Sequence, residues 1–151
     1  MSDRIKVTGM VLSAMPVGEY NMRVVILTTD RGRIHAFARG AKKPGSALMA
    51  ACSPFVFGEF MVTQGRDAYN LSSVRVLQFF EALRQDTESL TGYLYGCYFL
   101  EVADYFGREN ADDYQMLVLL YQAVKALCKK QMPPALIRCV FDLKIMVING
   151  E

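Results

Sequence analysis

The residue types best suited to chemistry in this chain of 151 residues are three cations in one short loop. Arg39, Lys42 and Lys43 stand within five positions, in a Gly/Pro-containing stretch (39–46) between two strand-like segments. Several cations on a flexible loop can follow a phosphate backbone, and Gly40 and Gly45 allow the chain to approach it closely. A solvated surface loop is the alternative, because short basic loops are common. The loop therefore favours a polyanion-binding role without establishing it.

The strand-like segment before this loop places three further residues on one face. Arg33, His35 and Phe37 alternate with apolar positions, so a strand would point them in the same direction. A cation beside ring surfaces is the combination that single-strand binders use. For Phe37 we expect a core position, with a DNA-facing position as the alternative. Arg31 belongs to the candidate DNA-binding set as well, because it flanks the preceding turn together with Arg33. The set also contains Arg23 and Arg66, whose position, like that of Tyr69, the pattern does not fix.

Signatures of catalysis are missing from the sequence. It contains no phosphate loop of the G-x-x-x-x-G-K-[ST] type, no G-x-G-x-x-G fingerprint and no G-x-S-x-G nucleophile turn. The single histidine, His35, lies in a predicted strand with no partner for acid–base work. Asp112 and Asp113 stand at an expected helix start, where capping and the helix dipole explain them better. We expect a protein without catalytic residues, which needs no cofactor.

The four cysteines predict neither a metal site nor disulfide bonds. Cys52, Cys97, Cys128 and Cys139 form no C-x-x-C pair, so we expect no zinc site within this chain. Cys97, Cys128 and Cys139 lie in apolar helical segments and are interpreted as small buried hydrophobic residues, which fits a reducing compartment. No apolar run approaches the roughly 18 residues that span a bilayer, and the N-terminus has no signal-peptide core. The expected location is the cytoplasm, in association with the nucleoid and without membrane contact.

Charge divides the chain into two unlike halves. Residues 1–79 hold ten Lys/Arg and five Asp/Glu, a net charge of +5, whereas residues 80–151 hold seven and ten, a net charge of −3. A basic half beside an acidic half indicates that the first half meets a polyanion. Ordinary surface charge would explain the same numbers, so charge by itself does not decide.

The first half has the pattern of short strands. Segments at 5–12, 21–29, 33–38, 55–63 and 69–77 are rich in β-branched and aromatic residues, with turn signals between them. Gly9, inside the first segment, predicts a bulge or sharp bend. Five short strands with an internal bend predict an N-terminal OB-fold β-barrel over residues 1–79, with an SH3-like barrel as the alternative.

The second half has helical periodicity, which makes the whole chain α+β with an all-helical domain over residues 80–151. A short helix is predicted from Phe80 to Thr91, followed by one that ends at Gly107. A third would be capped by Asn110 or Asp112, and a fourth would open at Pro133-Pro134. We expect this domain to be incomplete at its C-terminus. Its apolar excess, as in Leu117 to Tyr121, predicts a fully buried helix or, alternatively, a groove for a partner peptide.

The chain resembles the N-terminal and central part of the RecO family of bacterial recombination mediators. The most specific match is the basic loop within residues 38–46. The others occur in the same order along residues 5–101: Gly9-Met10-Val11-Leu12, Gly18-Glu19-Tyr20-Asn21, Thr28 to Ile34, Leu71-Ser72-Ser73-Val74, Phe80-Glu81-Ala82-Leu83-Arg84 and Tyr98-Phe99-Leu100-Glu101.

This resemblance implies a function that needs no bond chemistry. It implies binding to single- and double-stranded DNA, annealing of complementary strands and loading of recombinase at gaps during DNA repair and homologous recombination. It also implies partners: RecR, RecA indirectly, and the acidic, apolar C-terminal tail of the single-stranded-DNA-binding protein. Many members carry a zinc-binding cysteine cluster late in the chain, beyond the part matched here. The alternative hypothesis is an interaction adaptor that uses the apolar helical half without touching DNA.

Overall fold

The computed structural model describes residues 3–84 and 90–150, which form five strands followed by four helices. The strands are β1 (Arg4–Val17), β2 (Asn21–Thr28), β3 (Arg33–Ala38), β4 (Phe57–Gln64) and β5 (Tyr69–Gln78). The helices are α1 (Glu81–Arg84), α2 (Thr91–Phe106), α3 (Tyr114–Lys129) and α4 (Pro134–Ile148). The predicted fold class, a five-stranded barrel followed by helices, is confirmed.

The sheet closes into a barrel in the order β1-β2-β3-β5-β4, with β4 returning to β1. All neighbouring strands are antiparallel except β3 and β5, which run parallel and pair at Ala36–Tyr69 and Phe37–Asn70. A closed five-stranded barrel of this kind is the OB-fold, the first of the two predicted barrels. The parallel contact matters for the site, because it brings the start of β5 beside the end of β3.

The long strand β1 serves two neighbours and bends between them. Residues 4–10 pair with β4, whereas residues 9–17 pair with β2. At Gly9 the backbones come so close that a Cβ would lie 2.3 Å from the carbonyl oxygen of Leu27. The irregularity in the register to β2 falls between Val11 and Ser13 rather than at Gly9. Gly9 therefore allows the close approach, and the bulge follows it.

The start of β4 was predicted two residues too early. Phe55 has a φ of +75°, and β4 begins at Phe57. Phe55 is fully buried and packs against Tyr93 of α2, at 5.9 Å between ring centroids. A Cβ on Gly96 would lie 2.9 Å from the Phe55 ring, so α2 comes close to it only because residue 96 is glycine. Phe55, which the sequence pattern assigns to a strand, therefore connects the barrel to the helices by packing against α2.

The helix boundaries match the predictions in part. Gly107 ends α2 and Pro134 opens α4, as predicted. The residue at the N-cap position of α3 is Asp113, and its carboxylate accepts a hydrogen bond from the Arg108 backbone N–H. Asp112, one of the two predicted caps, accepts a hydrogen bond from the N–H of Tyr114, the first residue of α3, at 3.3 Å. Of the helix predicted over 80–91, the structure has α1, and residues 85–89 lie outside the described residues.

Two apolar clusters hold the molecule together. One fills the barrel with residues such as Val24, Ile26 and Phe60. The other unites the helices and includes the stacked rings of Phe99 and Phe141, but it also takes Met10, Leu12 and Leu27 from the outside of the barrel. The barrel and the helices therefore share a core, which covers part of the barrel's outer surface.

Among the helices of residues 3–84 and 90–150, none has the length and apolar character that a membrane span requires.

Candidate nucleic-acid interface

The candidate interface is built on the outer face of β2 and β3. Along β3, Ile34, Ala36 and Ala38 are buried in the barrel, and the residues between them point outward, as their alternation predicted. The outward residues have cross-strand partners on β2: Phe37 pairs with Arg23, His35 with Val25, and Arg33 with Leu27. The expected core position of Phe37 is wrong, because its ring is half-buried on this outer face. The three pairs form a row with two very different ends.

At the first end, two exposed arginines flank the Phe37 ring. Arg23, Phe37 and Arg66 line one open pocket together with Asp67 and Asn70. Arg66 reaches this place because the parallel contact of β3 and β5 brings the β4–β5 turn beside Phe37. Within residues 3–84 and 90–150, neither arginine forms an ion pair. Their charges are therefore available to a ligand. We call this arrangement of Arg23, Phe37 and Arg66 the open end.

The basic loop continues the open end. Arg39 follows Ala38, which pairs with Met22, so the loop leaves the sheet next to Arg23. The loop is held to the β1–β2 turn, because the Gly40 N–H donates to Asn21 Oδ1 at 2.9 Å and the Lys42 N–H to the Tyr20 carbonyl at 2.8 Å.

Contacts made by its side chains hold the loop further. Ala41 is buried in the barrel cluster, and Lys43 Nζ lies 5.7 Å from the centroid of the Tyr20 ring. The expected flexible loop is thus fixed in place, with Arg39 and Lys43 exposed on it and Lys42 half-buried. The loop begins directly after Ala38, which pairs with Met22, so its first cation, Arg39, follows the β2–β3 face on the side of Arg23.

At the other end of the row, the helices cover the strands. Leu27 belongs to the shared apolar cluster, and the guanidinium of Arg33 donates to both the carbonyl and the carboxylate of Asp104 on α2. The carbonyl of Arg31 accepts a hydrogen bond from the Asn110 N–H, and Gly32 bridges to Glu109. We call this region the covered end. A DNA-contacting role for Arg31 and Arg33 stays a prediction, and their surroundings are those of a junction between barrel and helices.

His35 lies between the two ends. It lines a pocket of about 210 Å³ with Tyr69, the β4–β5 turn and residues Glu109 and Asn110 of the α2–α3 connection. Sequence reasoning missed this contribution from the helical half, because Glu109 lies far along the chain from β3 and belongs to no motif. The glycine at position 32 is its one trace in the sequence, since a Cβ there would lie 1.9 Å from the Arg108 carbonyl oxygen.

A second group of charges in the basic half is already paired. Glu59 on β4 binds Lys6 at 3.0 Å and Arg75 at 3.1 Å. The hydrogen bond from Lys6, with the nearby charges of Lys6 and Arg75, holds the pKa of the Glu59 carboxyl below its usual range. Glu59 therefore partly neutralises these two cations, whereas Arg23 and Arg66 form no ion pair with the described residues. Across the described ranges, no three His, Cys, Asp or Glu side chains come together as a metal site.

Comparison with known proteins gives a consistent result over the whole chain. Residues 1–80 match the family model "Recombination protein O N terminal", and residues 87–151 match "Recombination protein O C terminal". The chain is 31% identical to the DNA repair protein RecO of Alkaliphilus metalliredigens over 146 residues, which are 97% of this chain and 58% of the relative. It is 34% identical to that of an Anaeromyxobacter species over 150 residues, 98% of this chain and 58% of the relative. The chain therefore spans a little over half the length of these relatives.

Proposed function

The chain belongs to the RecO family of DNA repair and recombination proteins, and we propose from this premise that it binds single- and double-stranded DNA through the open end and the basic loop. The observation that carries the proposal is the meeting of Arg23, Phe37 and Arg66 in one open pocket. In OB-folds, oligonucleotides bind across strands 2 and 3 and between the two loops that flank them, and the pocket has this position. Residues 1–79 would be the DNA-binding domain and residues 80–151 the helical domain.

The proposed activity is strand annealing without bond chemistry. Two complementary strands repel each other through their phosphates, and cations such as Arg23, Arg39 and Arg66 lower this repulsion while counterions are released. The Phe37 ring offers a surface on which an unpaired base can stack. Pairing and stacking between the two strands then supply the driving free energy. The side chains need only hold the strands, which is consistent with a protein that is not an enzyme.

We propose that partner proteins dock on the helical half. A groove between α3 and α4 is lined mainly by apolar side chains, together with Gln115, Gln122 and Lys144. The apolar side chains are those of Val118, Leu119, Leu143, Val147 and Ile148. An acidic, apolar peptide such as the C-terminal tail of the single-stranded-DNA-binding protein fits this chemistry, because its apolar side chains would fill the groove and its acids would face the lysine. Together with RecR, this docking would help to load RecA at gaps coated with the single-strand binder.

A matched pair of double variants tests the DNA interface. Arg23→Ala/Arg66→Ala removes two exposed cations of the open end, and Lys125→Ala/Lys129→Ala removes two exposed cations of α3. In a fluorescence-anisotropy titration at low salt, we expect the first variant to bind both single and double strands roughly tenfold more weakly. The α3 variant should bind within about twofold of the wild type. Equal losses in the two variants would mean that DNA is held by diffuse charge rather than by this surface.

The same fluorescence-anisotropy measurement distinguishes the adaptor hypothesis from the DNA-binding hypothesis. An adaptor would bind no fluorescent oligonucleotide at low salt, yet would bind an acidic peptide that ends in phenylalanine. For the groove itself, Leu143→Ser changes a side chain that is 66% exposed, so the fold should tolerate it. We expect this variant to lose most of the peptide affinity and to keep its oligonucleotide affinity. Unchanged peptide binding would exclude the α3–α4 groove as the docking site.

A further inference from the structure

The pocket around His35 has a position and a lining that the DNA-binding surface does not explain. We call it the junction pocket, because β3 and the β4–β5 turn form one wall and the α2–α3 connection forms the other. Its volume of about 210 Å³ is below the roughly 300–1,000 Å³ of a pocket for a drug-sized ligand. It suits a group of one or two rings.

The charges of the lining argue against a phosphate as the occupant. Asp67 and Glu109 bring two carboxylates, and Arg66 brings one cation that also belongs to the open end. A phosphate would be repelled by the two acids. A carboxylate, in contrast, accepts hydrogen bonds from the exocyclic amino group of a base, as it does when it reads cytosine N4. The side-chain amide of Asn110 can both donate and accept, which suits the edge of a base.

The His35 ring adds hydrogen-bonding capacity that the protein does not use. Within the described part of the chain, His35 Nδ1 is buried and has no hydrogen-bond partner. A buried polar atom without a partner is costly, so its presence in a residue that lines a pocket needs an explanation. A base that fills the pocket could supply the partner after a rotation of the imidazole ring about its Cβ–Cγ bond.

The junction pocket lies one step along the strand from the proposed stacking surface. Phe37 and His35 point outward from β3 two positions apart, which separates them by about 6.6 Å. Gly65, Arg66, Asp67 and Ala68 line both the open pocket at Phe37 and the junction pocket at His35. A single strand with one base on Phe37 would therefore bring a neighbouring base to the junction pocket, with Arg66 beside the phosphate between them.

We propose that the junction pocket takes one unstacked, amino-bearing base of a single strand, and so gives the protein a preference among bases and for single over double strands. This inference rests on the proposed DNA-binding function. A duplex cannot place a stacked and paired base there without opening. Thymine and uracil have no amino group to donate hydrogen bonds to the two carboxylates, whereas cytosine has one.

The experiment compares oligo(dC) with oligo(dU) of equal length, because the heavy atoms of cytosine and uracil differ only at C4, where cytosine has the amino group and uracil a carbonyl oxygen. We expect the wild type to bind oligo(dC) at least fivefold more tightly, the lower limit for one good base contact. The variant Asp67→Ala/Glu109→Ala should bring the ratio of the two affinities close to one. The control Asp3→Ala/Glu19→Ala removes the same charge from exposed positions outside the pocket and should keep the ratio of the two affinities. A general gain in DNA affinity that comes from removing negative charge should appear in both variants.

The outcomes are distinct. Equal binding of the two strands by the wild type, or a ratio that survives in Asp67→Ala/Glu109→Ala, overturns the pocket and leaves DNA binding at the open end in place. Failure of the wild type to bind either strand overturns the DNA-binding function and the pocket with it. Both pairs of substituted residues are exposed, so all variants should fold, and a thermal melt close to that of the wild type verifies this.

Discussion

Each of the two ends of the β2–β3 face carries an arginine opposite an apolar residue, and yet the two ends have different surroundings. An arginine stands at each end, Arg23 opposite Phe37 and Arg33 opposite Leu27. Arg23 is exposed and forms no ion pair with the described residues, whereas Arg33 is half-buried against Asp104. The strands themselves do not distinguish the ends. The helices do, because they pack over Leu27 and stop short of Phe37.

This difference shows how one regular face can carry both a binding surface and a domain junction. Shape and charge at the open end are set by the barrel alone, through its turns and the parallel β3–β5 contact. At the covered end they depend on the connection between α2 and α3, which reaches back to Gly32. Substitutions at the open end should therefore change binding and spare stability, and substitutions at the covered end should do the reverse.

The largest effect is expected from Gly32→Ala at the covered end. Gly32 has a φ of +66°, and a Cβ there would lie 1.9 Å from the Arg108 carbonyl oxygen. The backbone of the α2–α3 connection would have to move, at a cost of about 2–4 kcal/mol in the free energy of unfolding. Urea denaturation measures this as a lower midpoint at an unchanged slope.

Gly18 provides the control for that substitution, because it has the same φ of +66° in an exposed turn with nothing within 4 Å of a Cβ. Gly18→Ala should therefore cost only the backbone strain, about 1 kcal/mol. If the two variants lose the same stability, the contact between Gly32 and the helices contributes nothing, and the covered end is not a junction in the energetic sense.

A smaller effect is expected from removing the arginine at each end in turn. Arg33→Ala breaks the hydrogen bonds to Asp104. Because the side chains are 27% and 46% exposed, solvent screening limits the loss to about 1–2 kcal/mol of unfolding free energy. Arg23→Ala should leave the midpoint of urea unfolding within about 0.5 kcal/mol of the wild type.

The same two variants should rank in the opposite order when their losses of oligonucleotide affinity are compared. Arg23→Ala should weaken single-strand binding, and Arg33→Ala should leave it unchanged under conditions where the variant is folded. A weaker oligonucleotide affinity in folded Arg33→Ala would support the predicted place of Arg33 in the DNA-binding set.

The sequence predicted the elements well and their environment less well. Periodicity and turn signals placed all five strands, and Gly107 and Pro134 marked the ends of two helices, because these signals are local. The start of β4 was missed because Phe55 has the residue type of a strand, and its positive φ depends on packing against α2. What lies over each face is a long-range property, which alternation along one strand does not contain.

The candidate site shows the same limit. Alternation correctly put Arg33, His35 and Phe37 on one face, but it could not tell that the helices would cover the first and leave the last open. Arg66 could not be placed, because its neighbourhood depends on the parallel pairing of β3 with β5. Arg39, Lys42 and Lys43 were recognised from composition. The backbone hydrogen bonds that connect their loop to the β1–β2 turn are visible only in the structure.

The smallest effect is expected from Lys42→Ala/Lys43→Ala, which extends the open end into the basic loop. The double variant loses the contact of Lys43 with the Tyr20 ring but keeps the backbone hydrogen bonds to Tyr20 and Asn21 and the buried Ala41, so the loop should keep its place. Each lysine that contacts a phosphate contributes about 0.7 to the slope of log affinity against log salt for a single strand. The double variant should therefore lower that slope by up to about 1.4. Since Lys42 is half-buried, we expect only about a threefold loss of affinity at low salt. A salt slope equal to that of the wild type would confine the DNA path to Arg23, Phe37 and Arg66, because the loop would then lie outside it.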